Sequence, residues 1–309
     1  MKTYHDSKKL LRQIVFSILL LIIAFSSARG QTPKTVEDLY PGLASDPLKS
    51  ATLARLPKGT LLTADSLTIK ESEITKEINR SGPEIRKQLA KNVFFVLEKM
   101  AIKRLILQEA YKTGHKKESD EDQMVMKYLS EKVKADTISE EELKNFYTQN
   151  KEMIGGAPLD QVREVLKIIL IQQKMQEAQR QYIQTLGQQT SLQINEDWVK
   201  KQSRLARNNP VDRVRMSGKP SLIDFGATGC GPCDMMTPIL AELEKKYKGR
   251  LNVLFVHVGQ EEILAARFGI KYIPVQVFFD KNGREVFRHT GFFPQTEIEK
   301  QLVRVGLAD

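Results

Sequence analysis

Between residues 59 and 199, apolar side chains recur at spacings of three and four, the period of amphipathic helices. Capping-box spacings and prolines suited to a first helical turn mark several helix starts. A strand-like stretch at 61–69 precedes the first helix, and the helix after Pro83 is expected to run unbroken to Gly114. The pattern predicts a nearly all-helical region whose helices begin near Glu71, Pro83, Ser119, Ser139 and Pro158.

After residue 209 the pattern changes to short apolar runs of strand length. Asn282-Gly283, between the last such runs, is a strong signal for a tight hairpin. The order strand, helix, strand, helix, strand, strand, helix predicts a mixed sheet with helices on both faces. The predicted strands are 221–225, 251–258, 275–279 and 285–289, and the clearest helices are 234–247 and 294–305.

These patterns divide the chain into segments of different character. Residues 31–58 contain several prolines without a clear period, so we expect an extended lead-in that carries no chemistry. Residues 59–199 are predicted to form the helical domain, the polar and basic residues 200–209 a linker, and residues 210–309 the α/β domain. At 309 residues the chain is long enough for two such domains.

Residues 1–30 are typical of an export signal. Basic residues at 8, 9 and 12 precede the apolar run 14–25, which is too short to span a bilayer comfortably. Small residues follow this run, and cleavage is expected just before Gln31. The protein is therefore predicted to work outside the cytoplasm, in a periplasm, with an uncleaved membrane anchor as the alternative.

The formal net charge of +10 raises the question of an acidic partner. Lys and Arg are interleaved with Glu and Asp at helical spacing, which is typical of a solvated helical surface. The sequence contains no known nucleic-acid motif and no platform of interleaved basic and aromatic residues. Nucleic acid is therefore not expected as a partner.

The chain contains only two cysteines, Cys230 and Cys233, so the natural intramolecular disulfide joins them. They lie between a predicted strand and a predicted helix, where amide N–H groups and the helix dipole stabilise a thiolate. Pro232 suits the first helical turn because its missing N–H costs nothing there. Cys230 is predicted to be the attacking sulfur and Cys233, one turn further in, to resolve the mixed disulfide.

Half of a zinc site is the alternative interpretation of this cysteine pair. Such a site would need two further ligands, and the region offers no third Cys and only His257 and His289. We therefore expect no metal and no organic cofactor. The redox-active group is the Cys230-Cys233 disulfide itself.

Residues 222–240, with the sequence LIDFGATGCGPCDMMTPIL, resemble the active-site strand and helix of thioredoxins. The similarity continues through Ile273-Pro274, the hairpin and Gly291. It implies a C-terminal α/β thioredoxin fold, with a mixed central sheet flanked by helices, and thiol-disulfide oxidoreductase activity. The Gly231-Pro232 dipeptide resembles that of the reducing members, which favours reductase or isomerase activity over net oxidation.

The resemblance also implies roles for residues around the cysteines. Asp224 matches a buried acid that relays a proton to the inner cysteine, and a strand-end cap is the alternative. Pro274 matches the family's cis-proline, and the backbone of Ile273 before it would hydrogen-bond a substrate peptide. Pro238 matches the proline that bends the active-site helix, a structural role.

The sequence departs from the family at the rim of the site. Thioredoxins usually have tryptophan at the positions of Gly226 and Gly229, so the rim around the substrate-binding Gly229 should be more open. His257 stands where the family has a buried lysine near the strand acid, and we expect a neutral core histidine that could tune Asp224. Asp234 follows the second cysteine, where its charge would work against thiolate formation.

The helical region resembles the N-terminal domain of SurA-type periplasmic chaperones. The similarity lies in Thr68–Ile74, the helix ending at 106–110, the helix after Ser119 and the Gln-rich helix near 171–174. Only the short break around Gly155 takes the place of that family's parvulin domain, so prolyl isomerase activity is not expected. Exposed apolar residues could hold unfolded peptide, with packing in the core as the alternative; the candidates are Met124, Met126 and Met153.

Together these features predict an exported two-domain protein, in which a mostly α-helical chaperone-like module presents polypeptide to a thioredoxin module. Its partners would be unfolded or disulfide-bearing polypeptides and a membrane electron donor, because a reductase in an oxidising compartment must be re-reduced. A periplasmic holdase or assembly factor with incidental redox activity is the rival hypothesis. A third is cytochrome c maturation, with an apocytochrome cysteine pair as client.

Overall fold

The computed structural model describes residues 33–151 and 154–307, and Thr35–Asp309 belong to one compact unit. The predicted export signal and its cleavage position before Gln31 lie outside the described residues. Within the described part of the chain, no helix combines the length and the apolar character needed to cross a bilayer.

The N-terminal half combines helices with a small sheet. Its strands lie in the order β1-β4-β2-β3, and the lead-in strand pairs with a strand more than a hundred residues later, Thr52 opposite Gln193. The described strands are β1 (Thr52–Ala54), β2 (Thr60–Ala64), β3 (Leu67–Lys70) and β4 (Gln193–Asn195). The described helices are α1 (Val36–Leu39), α2 (Asp46–Lys49), α3 (Glu71–Asn79), α4 (Pro83–Lys91), α5 (Val93–Lys112), α6 (Glu121–Lys132), α7 (Glu140–Asn150) and α8 (Leu159–Gln189).

This sheet corrects the predictions of an extended lead-in and of a nearly all-helical region. Strands β1 and β4 are three residues long, too short for a period of two to be visible. Their pairing is decided by contacts far apart in the sequence. The lead-in also buries Val36 and Leu48 fully in the core of the N-terminal half, so it is an integral part of the fold.

The long helix expected from Pro83 to Gly114 is interrupted at Asn92. The backbone of Asn92 leaves the helical region, with φ −121° and ψ 38°, and its side-chain Nδ2 donates to the carbonyl of Gln88 at 2.9 Å. Asparagine side chains compete with helical hydrogen bonds in this way. The apolar period continues across the break, so the sequence pattern does not show it.

The predicted linker, residues 200–209, is wrong. Most of it belongs to helix α9 (Glu196–Ala206), and helix α10 (Pro210–Arg215) follows with Asn209 as its N-cap. Helix α9 buries Val199 and Ala206 together with the polar Gln202 and Ser203. Because two of the buried residues are polar, the apolar side chains alone do not show the helical period.

The mixed sheet predicted for the C-terminal half is confirmed. The strand order is β6-β5-β7-β8, with β5 parallel to β6 and the other pairs antiparallel. Helices α10 and α12 pack on one face, and α11 and α13 pack on the other. The elements are β5 (Ser221–Gly226), α11 (Gly231–Lys246), β6 (Asn252–His257), α12 (Glu262–Arg267), β7 (Val275–Phe279), β8 (Glu285–Thr290) and α13 (Gln295–Arg304).

A buried ion-pair cluster ties the lead-in to the C-terminal half. The fully buried carboxylate of Asp212 pairs with the guanidiniums of Arg215 and Arg267. Arg215 also donates to the carbonyls of Pro41 and Gly42, each at 2.8 Å. Burial alone would raise the pKa of Asp212, but the two guanidiniums outweigh it and hold that pKa below its ordinary value.

Candidate redox site

The cysteine pair lies at the start of helix α11, directly after the loop that follows β5. Cys230 is the N-cap residue and is joined to Cys233 by a disulfide. The Cys230 Sγ atom accepts a hydrogen bond from the backbone N–H of Cys233 at 3.3 Å. Cys230 is half-buried, whereas Cys233 is buried. The predicted position of Cys230 at a helix N-terminus is confirmed, and that position favours a thiolate.

Three further residues of the motif lie in α11 as the sequence indicated. Gly231 begins the helix, and Pro232 occupies its first turn, where an N–H would have no intrahelical acceptor. Pro238 lies inside the helix, where it cannot donate the usual backbone hydrogen bond. The structural role predicted for these residues fits their positions.

The Ile273–Pro274 segment lies at the same end of the sheet as the cysteine loop. The Ile273–Pro274 peptide bond is cis, which confirms the geometry implied by the resemblance. Val275 pairs with Phe225, so Pro274 comes level with the end of β5. Pro274 is buried and Ile273 half-buried, while Gly229, in the loop before Cys230, is exposed. Whether Ile273 and Gly229 bind substrate stays a prediction.

Asp224 lies within strand β5 and is fully buried. Its Oδ1 atom accepts a hydrogen bond from Gln276 Nε2 at 2.8 Å, and its buried Oδ2 atom has no hydrogen-bond partner among the described residues. Burial raises the pKa of Asp224 to about 6, although the Gln276 hydrogen bond lowers it. The strand-end cap alternative is wrong, because Asp224 is inside the strand.

Gly226 connects Asp224 to the inner cysteine. It lies two residues after Asp224 and therefore on the same face of the strand. A Cβ atom on Gly226 would lie 3.4 Å from Cys233 Sγ, so this face of β5 lies next to the buried sulfur. Asp224 and Cys233 thus share one compartment between the sheet and α11. The proton relay itself stays a prediction.

His257 does not hold the position predicted for it. The parallel register places His257 opposite Gly226, whereas Phe255 stands opposite Asp224. His257 is half-buried, and its Nε2 atom accepts a hydrogen bond from the backbone N–H of Thr228 at 3.3 Å. It therefore supports the loop before Cys230. The hydrogen-bonded neighbour that influences Asp224 is Gln276.

Phe255 and Gln276 are site residues that the sequence patterns did not indicate, although a signal for Gln276 was present. It is a polar residue in the run VQVFF, whose five residues are all buried. A buried amide in a sheet needs a partner, and the antiparallel register supplies Asp224. Phe255 could be found only from the register of β5 against β6.

Helices α7 and α8 reach the cis-proline side of the redox site. Asn150, the last residue of α7, is buried, and a Cβ atom on Gly291 would lie 3.2 Å from Asn150 Oδ1. The hydroxyl of Tyr272, next to Ile273, donates to Gln172 Oε1 of α8 at 3.1 Å. The helical half therefore contacts the rim of the site on the side of residues 272–274.

The methionines predicted to bind peptide differ in their exposure to solvent. Met124 is buried in a core cluster, which agrees with the core alternative, whereas Met126 is exposed. Met153 lies outside the described residues. Helix α8 instead carries apolar side chains in solvent at intervals of three; these are Val165 at 59% exposure, Ile168 at 56% and Ile171 at 46%.

Among residues 33–151 and 154–307, no group of three or more His, Cys, Asp or Glu side chains is placed to hold a metal ion.

Comparison with known proteins gives a consistent match for the C-terminal half. The family model described as Thioredoxin matches residues 203–304. Thioredoxin 1 of Chlorobaculum tepidum is 37% identical over 93 residues, which are 30% of this chain and 91% of that protein. The thioredoxin of Alicyclobacillus acidocaldarius is 38% identical over 87 residues, which are 28% of this chain and 82% of that protein.

A solved structure of Fasciola hepatica thioredoxin has 32% identity and a TM-score of 0.26, and the match covers 28% of this chain and 81% of that one. The sequence matches span 91% and 82% of the two bacterial thioredoxins, and Cys230 and Cys233 lie within residues 203–304 that the family model matches. The chain therefore belongs to the thioredoxin family, and it is a protein-disulfide oxidoreductase.

Proposed function

We propose that this protein is an exported reductase or isomerase of disulfides in polypeptides, with Cys230 as the attacking sulfur and Cys233 as the resolving sulfur. The observation that carries the proposal is the position of the half-buried residue Cys230 at the N-terminus of α11, where its sulfur accepts an amide hydrogen bond. Behind it, the buried Cys233 shares a compartment with the buried carboxylate of Asp224. Cys230 can thus react with a client disulfide, while the buried Cys233 resolves the mixed disulfide.

The reaction begins with the reduced Cys230-Cys233 pair. The Cys230 thiolate attacks a client disulfide, forming a mixed disulfide and releasing the first client sulfur as a thiolate. Cys233 then gives its proton to Asp224 and attacks Cys230 Sγ. The Cys230–Cys233 bond forms, the bond from Cys230 to the client breaks, and the second client thiolate leaves and takes up a proton. The client gains two electrons and the protein dithiol loses two.

Net reduction requires that the Cys230-Cys233 disulfide be reduced again after each cycle. Export, indicated by the sequence of residues 1–30, would place the protein where the surroundings are oxidising. A membrane-bound dithiol donor is therefore part of the proposal. The reductive direction is supported by the Gly231-Pro232 dipeptide between the cysteines.

Helix α8 is proposed to hold the unfolded client. Val165, Ile168 and Ile171 form an exposed apolar stripe, and the next residue, Gln172, contacts Tyr272 at the rim of the redox site. Exposed apolar surface of this kind favours peptide contact. A polypeptide lying along the stripe would reach the segment 272–274 beside the cysteine loop.

Trapping tests the cysteine roles. In Cys233→Ser the mixed disulfide cannot be resolved, so we expect a stable adduct between Cys230 and a client, detected on non-reducing gels and identified by mass spectrometry. Cys230→Ser is the matched control and should trap no client. A stable adduct in Cys230→Ser, through Cys233, would reverse the assignment. Recovery of an apocytochrome cysteine pair would support the cytochrome c maturation hypothesis.

Charged substitutions test the α8 stripe. We expect Val165→Glu with Ile168→Glu to lower kcat/KM by about tenfold, roughly 1.4 kcal/mol, for an unfolded polypeptide disulfide. Reduction of a small aromatic disulfide should be unchanged. Val303→Glu, at a residue of α13 that is 58% exposed, is the control for adding charge at an apolar surface position. An equal loss on both substrates, or none, would argue against a client-binding stripe.

A holdase is the second candidate function. The apolar stripe on α8 favours it, because the stripe could bind an unfolded client without the cysteines taking part. The Cys230→Ser/Cys233→Ser protein distinguishes the two functions in an aggregation assay and a client-maturation assay. Full protection together with normal client maturation would favour the holdase. Loss of maturation despite protection supports the oxidoreductase with a client-binding helix.

A further inference from the structure

Phe255 is a large apolar residue on the redox side of the sheet, outside the buried core. It is 47% exposed, although Val253 on the same face of β6 packs against the core beneath α11 and α13. Exposure of a phenyl ring costs hydrophobic free energy, so its position invites a functional explanation. The surroundings of the ring supply one.

The register fixes where the Phe255 side chain begins. Phe255 pairs with Asp224 in the parallel ladder of β5 and β6, so the two side chains leave the sheet on the same face. That face is covered by α11, the helix that carries Cys233. The base of the phenylalanine is therefore level with the buried carboxylate.

The ring then leans along the strand toward the cysteine. A Cβ atom on Gly226 would lie 2.8 Å from Phe255 Cε2 and 3.4 Å from Cys233 Sγ. The ring edge thus takes the space that a side chain at 226 would fill. It spans from the level of Asp224 to the compartment of the buried sulfur.

A contact with another aromatic ring holds the phenyl ring in place. The rings of Phe255 and His257 meet edge to face, with their centroids 6.5 Å apart. His257 is itself anchored by the hydrogen bond from the Thr228 backbone. The cover over Gly226 is therefore coupled to the loop that precedes Cys230.

We propose that Phe255 is a positioning residue for the resolving step: its ring closes the space over Gly226 against water, so that the proton of Cys233 passes directly to Asp224. The inference rests on the roles proposed above for Cys233 and Asp224. In this step the S–H bond of Cys233 breaks and an O–H bond forms on Asp224. The Cys233 electron pair forms the bond to Cys230 Sγ, and the client sulfur leaves with the electron pair of the bond that breaks.

The groups around Asp224 explain why a cover that excludes water would affect its pKa. Its titratable neighbours on this side of the sheet are Cys233 on α11, His257 on β6 and His289 on β8, while α13 contributes the apolar Ile298 and Leu302 to the core below. The causes that shift the pKa of Asp224 are burial, which raises it, and the neutral Gln276 amide, which lowers it. Admitting water would therefore alter the main influence on this carboxylate.

Titration of Asp224 by carbon NMR in the oxidised full-length protein tests the proposal. The wild-type carboxyl group should titrate with a pKa of about 6. In Phe255→Ala we expect this pKa to fall by about one unit, because water reaches the carboxylate.

Two controls separate the cover from general packing. Phe255→Leu keeps an apolar cover and should retain the wild-type titration, and Val286→Ala removes a similarly exposed apolar side chain of β8 and should also leave it unchanged. An unchanged titration in Phe255→Ala would overturn the proposal, as would a Phe255→Leu protein that behaves like Phe255→Ala. The titration needs no turnover, so failure of wild-type protein to reduce disulfides would remove the proposed function alone.

Discussion

The carboxylate of Asp224 couples the chemistry of the site to the stability of the fold. Its folded-state pKa of about 6 lies above the ordinary value of 3.8, so the folded protein holds the proton more tightly than the unfolded chain does. Lowering the pH through 6 therefore stabilises the folded state, and the gain is complete below about 3.8, where both states are protonated. At neutral pH the buried charge costs about 3 kcal/mol.

Asp224→Asn should consequently stabilise the fold while impairing the disulfide exchange activity. The amide keeps the size of the side chain and removes the buried charge, so we expect the free energy of unfolding to rise by up to about 3 kcal/mol near pH 7.5 and to change little near pH 4. Urea denaturation of the oxidised protein at both pH values measures this. The exposed Asp234→Asn is the control and should show no such pH-dependent gain. Destabilisation by Asp224→Asn at neutral pH would contradict a buried, uncompensated charge.

Individual residues of the site differ in how far they could be predicted. Cys230, Cys233 and Asp224 follow each other closely along the chain, so a strand followed by a helix already brings them together. Gln276 and Phe255 come from other strands, and their contacts with the site depend on the register. The same dependence explains the error at His257, because a shift of two residues along β6 moves a side chain from Asp224 to Gly226.

Helix α9 shows the corresponding limit for an entire helix. Its buried face contains Gln202 and Ser203, so the helix packs into the protein interior although much of its sequence is polar. Trp198 on the same helix stacks on Phe94 of α5, with the ring centroids 5.9 Å apart. Such a helix joins the two halves as a packed element and does not act as a flexible linker.

Val199→Ala tests this packed role of α9. Val199 is fully buried, so we expect the loss of its methyl groups to lower the free energy of unfolding by about 2 kcal/mol. Leu205→Ala, at an exposed position of the same helix, should change it by less than about 0.5 kcal/mol. Thermal and urea denaturation monitored by circular dichroism give both values. Equal, negligible effects would restore the linker interpretation.

Across the molecule, the lead-in and the C-terminal half meet at the cluster of Asp212, Arg215 and Arg267. The guanidinium of Arg215 reaches the carbonyls of Pro41 and Gly42, and its donor Nη1 also reaches that of Gly283 at 3.1 Å. A segment near the start of the described chain is thus fixed to the hairpin of the redox half. This bond network joins segments that local sequence patterns assign to different domains.

Asp212→Ala should disrupt this junction strongly. It would leave two buried guanidiniums without their carboxylate, so we expect a loss of about 3–5 kcal/mol in the free energy of unfolding. Arg80→Ala removes an exposed ion pair with Glu77 and should cost less than about 1 kcal/mol. Calorimetry measures both. If Asp212→Ala proved as mild as Arg80→Ala, the cluster would not hold the two halves together.

The approach of α7 and α8 to the cis-proline loop is also a property of the whole molecule. Gln172 and Tyr272 belong to halves that the sequence patterns treat separately, yet their side chains form a hydrogen bond. No local period predicts such a contact. The proposal that the helical half presents polypeptide to the cysteines depends on this proximity.

The sequence by itself determined what short-range physics fixes. The strand, hairpin and helix order of the C-terminal half, and the position of Cys230 at a helix N-terminus, follow from local periods, turn residues and a single motif. The tertiary structure alone decided the pairing of β1 with β4, the burial of polar residues in α9 and the placement of Phe255 beside Asp224. These features depend on which distant segments come into contact, and a contact between distant segments leaves no period in either of them.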